Sequence, residues 1–227
     1  MDLLAFARGP ALAFALAVFV IGTLWRLAHA LTRPRLPDLS TPREGTPPAW
    51  RGALHGILRG MWPRREFRPS TRFVTLNGYV FHIGLALVFF GYAPHIAFVR
   101  RLTGLSWPAL PDAVMYLAAA ATLVALFMAL FVRLADPVLR LISSADDWIT
   151  WGVTLLPLIT GMAVATQPSS ALLASERVLY GGPLAIHLLS VELLLVWFPF
   201  GKLMHAFLFV FSRGATGVRF NHRGVQV

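Results

Sequence analysis

Five apolar stretches, near residues 10–31, 76–98, 113–134, 148–168 and 182–212, dominate this chain of 227 residues. Each is long enough to cross about 30 Å of hydrocarbon, which takes roughly 20 helical residues. Hydrophobic residues make up 57% of the chain and charged residues only 13%, with a mean hydropathy of +0.67. A soluble domain carries about 25% charged residues, so the deficit points to an integral membrane protein. Open strands would leave backbone groups unpaired in lipid. The expected fold is therefore all-α, a polytopic bundle of five transmembrane helices forming one membrane domain over residues 1–227.

The formal charge of +10 raises the question of nucleic acid, but its distribution argues against that partner. Ten arginines, from Arg26 to Arg72, fall in the connection between the first two apolar blocks. An N-terminus outside and a C-terminus in the cytoplasm put this basic loop, 32–75, on the inner side together with the 135–147 loop and the tail. Only Arg8, Arg100, Arg101 and Arg177 then remain outside, as the positive-inside rule requires. Ala28-His29-Ala30 resembles a signal-peptidase site, yet Trp25-Arg26 reads as an inner-boundary anchor, and the first block is expected to be retained. Within the loop, "AWRGALHGILRGMW" spaces its apolar residues as a helix does. That pattern suits a short helix lying on the headgroups, and equally a docking surface for a soluble subunit.

Cysteine is absent, so the chain brings no thiolate ligands and no disulfide. Histidine becomes the principal protein ligand for a transition metal. His29, His55 and His222 fall at an inner boundary, in the loop and in the tail, where a solvated histidine needs no further explanation. His82, His95, His187 and His205 lie in or at the ends of the second and fifth apolar blocks. Ionisable groups there are costly and face a bundle interior or a cavity.

On one continuous helix, the eighteen residues from His187 to His205 rise about 27 Å and complete five turns. Both rings would then share a face, one near each side of the membrane, although Pro199 can kink such a helix. The second span runs antiparallel, with His82 level with His205 and His95 level with His187. Two such pairs at different depths are what six-coordinate haem b irons require. Hydrogen-bonding or proton-conducting histidines are the plainer alternative.

"FHIGLALVFFG" at 81–91 and "IHLLSVELLLVWFPFGKLMH" at 186–205 resemble the cytochrome b (gamma) subunit of respiratory nitrate reductase. The likeness extends to its relatives in heterodisulfide-reductase-like and sulfite-reduction-linked complexes. "FVIGTLWR" at 19–26 and "SSADDWITWGVTLLPLITGM" at 143–162 resemble that family's first and fourth spans, so nearly the whole chain is covered. The resemblance implies a di-haem b electron-transfer subunit of the bacterial or archaeal cytoplasmic (inner) membrane. Such a subunit exchanges electrons between the quinone pool and a cytoplasmic iron–sulfur partner, with no terminal substrate centre of its own. It implies His82 and His205 as ligands of an inner haem and His187 as one ligand of an outer haem.

The family's fourth histidine follows a glycine ten residues after the "FHIG" histidine, where this chain has Gly91-Tyr92. His95, three residues on, is the expected replacement, since such positions neighbour one another on a helix. Tyr92 as ligand, a single-haem version keeping only the inner haem, and a cofactor-free anchor or transporter are the alternatives. Any quinone pocket is expected near Gly91. Glu192 lies in mid-span, where a hydrogen-bonded carboxyl is the default and a proton-handling role the alternative. Lys202 is expected to snorkel or to pair with a haem propionate. Asp146 and Asp147 are expected to cap the fourth span.

Overall fold

The computed structural model describes residues 2–34, 38–165 and 181–225, and among them all regular structure is helical. In chain order the helices are α1 (Leu3–Thr32), α2 (Ala49–Arg59), α3 (Arg68–Gly91), α4 (Ala93–Thr103) and α5 (Asp112–Ala135). They are followed by α6 (Pro137–Leu141), α7 (Ala145–Val164), α8 (Gly181–Trp197) and α9 (His205–Arg223). α1, α3, α5 and α7 are each long and apolar enough to span a membrane, and α8 with α9 supplies a fifth candidate as an interrupted pair. Several apolar helices of this length fit a multi-pass membrane protein.

Two spans expected to be continuous are broken, each at a proline. The fifth ends at Trp197, and after a 3-10 turn over Lys202–Met204 an α-helix resumes at His205. Pro199 lacks the amide that would continue the hydrogen-bond ladder, and its ring crowds the preceding turn. Its side chain is buried, and a Cβ on Gly22 would come within 2.7 Å of it, so Gly22 supplies the space for the break. The five-turn register between His187 and His205 therefore does not apply. The second span ends at Gly91, and the chain restarts as α4 with Pro94 in its first turn. In α1, the helix widens into a π turn over Ala7–Ala11 around Pro10, which also lacks its amide.

By internal contacts the chain divides into two compact units. The first comprises Met1–Phe19 and Phe73–Trp197. Small residues let its helices approach closely, the usual device where lipid offers no hydrophobic drive to associate. A Cβ on Gly84 of α3 would run into the Thr122 hydroxyl of α5, and Ala118, Ala119 and Ala125 are buried on the same helix. Polar links tie the layers: Asn77 Nδ2 donates to Ala125 O at 2.9 Å, and Trp151 Nε1 to Leu126 O at 3.1 Å. The start of α1 packs Leu4 and Ala7 on Ala185 of α8. α7 opens with a capping box in which Ser144 N donates to the Asp147 carboxylate at 2.9 Å, and Arg133 pairs with that carboxylate at 3.2 Å.

The second unit comprises Val20–Arg72 and Phe198–Val227. Its centre is the packing of α2 on α9, backbone against backbone. A Cβ on Gly56 would come within 2.5 Å of Arg213 O and 2.6 Å of Gly217 Cα. The loop before α2 is clasped to the end of α9. Arg223 donates to both Asp38 oxygens (3.0 and 3.3 Å), His222 Nε2 to Ser40 O (2.8 Å), and Asn221 Nδ2 to Pro47 O (3.0 Å).

Candidate functional site: two histidines facing across α4 and α8

His95 owes its position to the break that ends α3. Tyr92 turns extended (φ −81°, ψ 126°) as the N-cap of α4, and Pro94 sits where a helix does not need its N–H. A helix end leaves carbonyls without partners. Here the returning segment takes two of them: Leu110 N donates to Gly91 O at 2.9 Å and Trp107 Nε1 to Phe90 O at 2.5 Å. A third, Val88 O, accepts from His95 Nδ1 at 3.0 Å. A carbonyl can only accept, so the proton of the neutral ring sits on Nδ1 and Nε2 keeps its lone pair.

His187 is held from α7. Its Nδ1 lies 3.1 Å from Thr160 Oγ1, and that hydroxyl donates its own proton to Leu156 O at 2.7 Å. His187 Nδ1–H is therefore the donor in that contact. Ser190 lies 2.9 Å from the Thr160 hydroxyl and donates to His187 O at 2.6 Å. Gly161 leaves space for the ring, since a Cβ there would sit 3.1 Å from His187 Cε1.

The structure brings these two rings together. Their centroids are 6.2 Å apart with planes inclined by 18°. Two imidazoles holding one metal through bonds of about 2.0–2.1 Å would place their ring centres roughly 6 Å apart. The pair thus fits axial ligation of a single haem iron, with each Nδ1 already engaged by an orienting acceptor. Phe89 and Tyr92 flank His95 at 5.8 and 5.2 Å between ring centroids. The Tyr92 ring meets His95 edge-on, and its hydroxyl is buried with no hydrogen-bond partner among the described residues.

His82 lies on α3 in the first unit, and its Nδ1 donates to Gly78 O at 2.7 Å. His205 opens α9 in the second unit, and its Nδ1 donates to Lys202 O at 2.8 Å. Both residues are exposed, and in both the Nδ1 contact to a carbonyl places the ring proton on Nδ1. All four histidines singled out in the sequence therefore share one tautomer, with Nδ1 hydrogen-bonded. The other histidines serve elsewhere: His222 in the clasp, His29 beside Trp25, His55 in a cavity of the second unit.

Gly91, expected near a quinone pocket, is buried against Leu110 and Met115, whose side-chain atoms lie 2.8 and 3.0 Å from where its Cβ would be. Glu192 is 5% exposed, and neither carboxyl oxygen has a hydrogen-bond partner among the described residues. No cluster of three or more His, Cys, Asp or Glu side chains forms a metal site among the described residues. A two-histidine axial pair does not need one. Arg177 lies outside the described residues. Thr160, Ser190 and Gly161 were not anticipated as parts of the site. Thr160 and Gly161 in "LITGM" and Ser190 in "HLLSVE" read as ordinary small-residue packing positions.

No protein-family model matches the chain. A protein of Nitratidesulfovibrio vulgaris (strain Hildenborough) is 28% identical over 226 residues, covering 94% of this chain and 92% of that one. The likeness runs nearly end to end, and that relative's name states no activity.

Proposed function

We propose that the chain is a di-haem b membrane subunit resembling the respiratory nitrate reductase gamma family, passing electrons between the quinone pool and a cytoplasmic iron–sulfur partner. The observation that carries this reading is the His95–His187 pair, two nearly parallel imidazoles 6.2 Å apart. In each, Nδ1 is held by a hydrogen bond from its own side of the site. These two residues would hold the outer haem, and His82 with His205 the inner one, the second pairing resting on the resemblance. Bound haem supplies one-electron redox chemistry at each position.

The chain's own residues do the rest. The Val88 carbonyl and the Thr160 hydroxyl fix the tautomer and plane of the outer rings and raise their basicity as ligands. Phe89 and Tyr92 wall the site beside His95. The N-terminus lies outside and the C-terminus in the cytoplasm, which turns the arginine-rich 20–72 segment toward an acidic partner surface. Quinol oxidation near the outer pair would release protons outward, and quinone reduction is the same path run in reverse.

Single substitutions test the assignment. His187→Ala and His82→Ala should each remove a different b-type signal from the reduced-minus-oxidised spectrum. Loss of both signals together, or of neither, would contradict two separate sites.

A further inference from the structure

Helix α2 carries three distinct stripes. Gly52, Gly56 and Gly60 face α9, where added Cβ atoms would strike it. Trp50, Leu54, Leu58 and, just past the helix, Trp62 recur every four residues and are 49–62% exposed. Arg51, His55 and Arg59 form the third stripe. Large exposed apolar side chains beside arginines are the signature of a helix seated at the lipid headgroup boundary.

Beside the basic stripe is a cavity of about 140 Å³ between α2 and α9, lined by His55, Arg59, Arg64, Arg213 and Thr216 among others. Its wall contains no carboxylate. The second unit as a whole holds fourteen of the chain's twenty Lys and Arg but only three of its ten acids. One of those acids, Asp38, is committed to Arg223. Arg64 lies over the Phe220 ring at 5.6 Å, so its guanidinium is positioned without an acidic partner. The glycines of α2 leave the cavity floor as bare backbone. Three arginines lining one cavity with no carboxylate in its wall among the described residues, next to an apolar boundary face, match a phosphate that arrives on a lipid.

We propose that this cavity binds the phosphate group of an anionic phospholipid, with Arg59, Arg64 and Arg213 taking its oxygens and the Trp50–Leu54–Leu58–Trp62 stripe lying in the acyl boundary. The site is independent of haem and stands or falls separately from the electron-transfer reading.

The test uses the full chain in detergent, stripped of lipid. It is titrated with short-chain phosphatidylglycerol, short-chain phosphatidylcholine and inorganic phosphate, and occupancy is read by native mass spectrometry. Phosphatidylglycerol should bind at least about tenfold tighter than phosphatidylcholine and weaken with salt. Arg59→Gln with Arg213→Gln should lower that affinity about tenfold or more, the size expected for losing charge-assisted hydrogen bonds. Arg219→Gln, outside the cavity, should leave it unchanged. Should the double variant not fold, Arg64→Gln alone must weaken binding. Equal affinity for the two lipids, or unchanged affinity in a folded cavity variant, overturns the proposal. Inorganic phosphate binding as tightly as phosphatidylglycerol overturns its assignment to lipid.

Discussion

At the residue scale the informative contrast is between Tyr92 and His95. Sequence spacing left both as ligands, because a helix surface places positions i and i+3 side by side. The break at Gly91 separates them: Tyr92 becomes a cap, while His95 enters a new helix with its Nδ1 on Val88 O and its ring toward His187. Pro94 was legible as a disturbance, but the direction in which it would turn the chain was not, since that depends on Trp107 and Leu110 returning to the helix end. His95→Ala should abolish one haem signal, whereas Tyr92→Phe should keep both, as read by reduced-minus-oxidised spectra. Loss on Tyr92→Phe alone would reverse the assignment.

Asp38 offers a second test at this scale. Arg223, and then the Ser40 hydroxyl and amide, hold its carboxyl well below the usual carboxylate range. A depressed folded-state value means the clasp contributes at every pH above the ordinary carboxylate value of 3.8 and is lost only as pH falls below it. Amide protection of Arg43 and Thr46, corrected for intrinsic exchange, should therefore be flat from about pH 5 to 9. Asp38→Asn should lower it throughout that range.

At the element scale, the apolar blocks at 10–31, 113–134 and 148–168 correspond to α1, α5 and α7 with ends displaced by a few residues. Hydropathy and length sufficed there because lipid forces the backbone to pair within each segment. The second and fifth blocks were legible as apolar but not as broken, because hydropathy does not register a missing amide. α2 was visible as a helix by its spacing. That its glycines would face α9 was not, since a glycine stripe names no partner. Gly56→Leu should force α2 away from Arg213 O and Gly217, costing about 1–3 kcal/mol in unfolding free energy. The same change at Gly152, where an added Cβ meets nothing within 4 Å, should cost far less. Ser144→Ala, which removes one half of the α7 capping box, should cost about 1 kcal/mol.

At the scale of the whole molecule, an all-helical chain with four to five candidate spans was readable from composition and block length. The division into two compact units was not, because it cuts through α1 and α3, whose apolar runs continue across the boundary without a change in composition. Charge reveals it in hindsight, since the second unit has fourteen Lys and Arg against three acids, and the rest of the chain six against seven. With the N-terminus outside, a reporter fused after Val227 should be active only as a cytoplasmic reporter. The opposite result would invert the orientation and move the basic unit away from any cytoplasmic partner.

The most direct measurement is the haem content of the purified chain, taken as a reduced-minus-oxidised spectrum together with the pyridine haemochrome stoichiometry. The two histidine pairs proposed as ligands, His95 with His187 and His82 with His205, should bring two b-type haems per chain. A preparation that is folded, full-length and devoid of any b-type band would contradict the reading of these histidines as ligands.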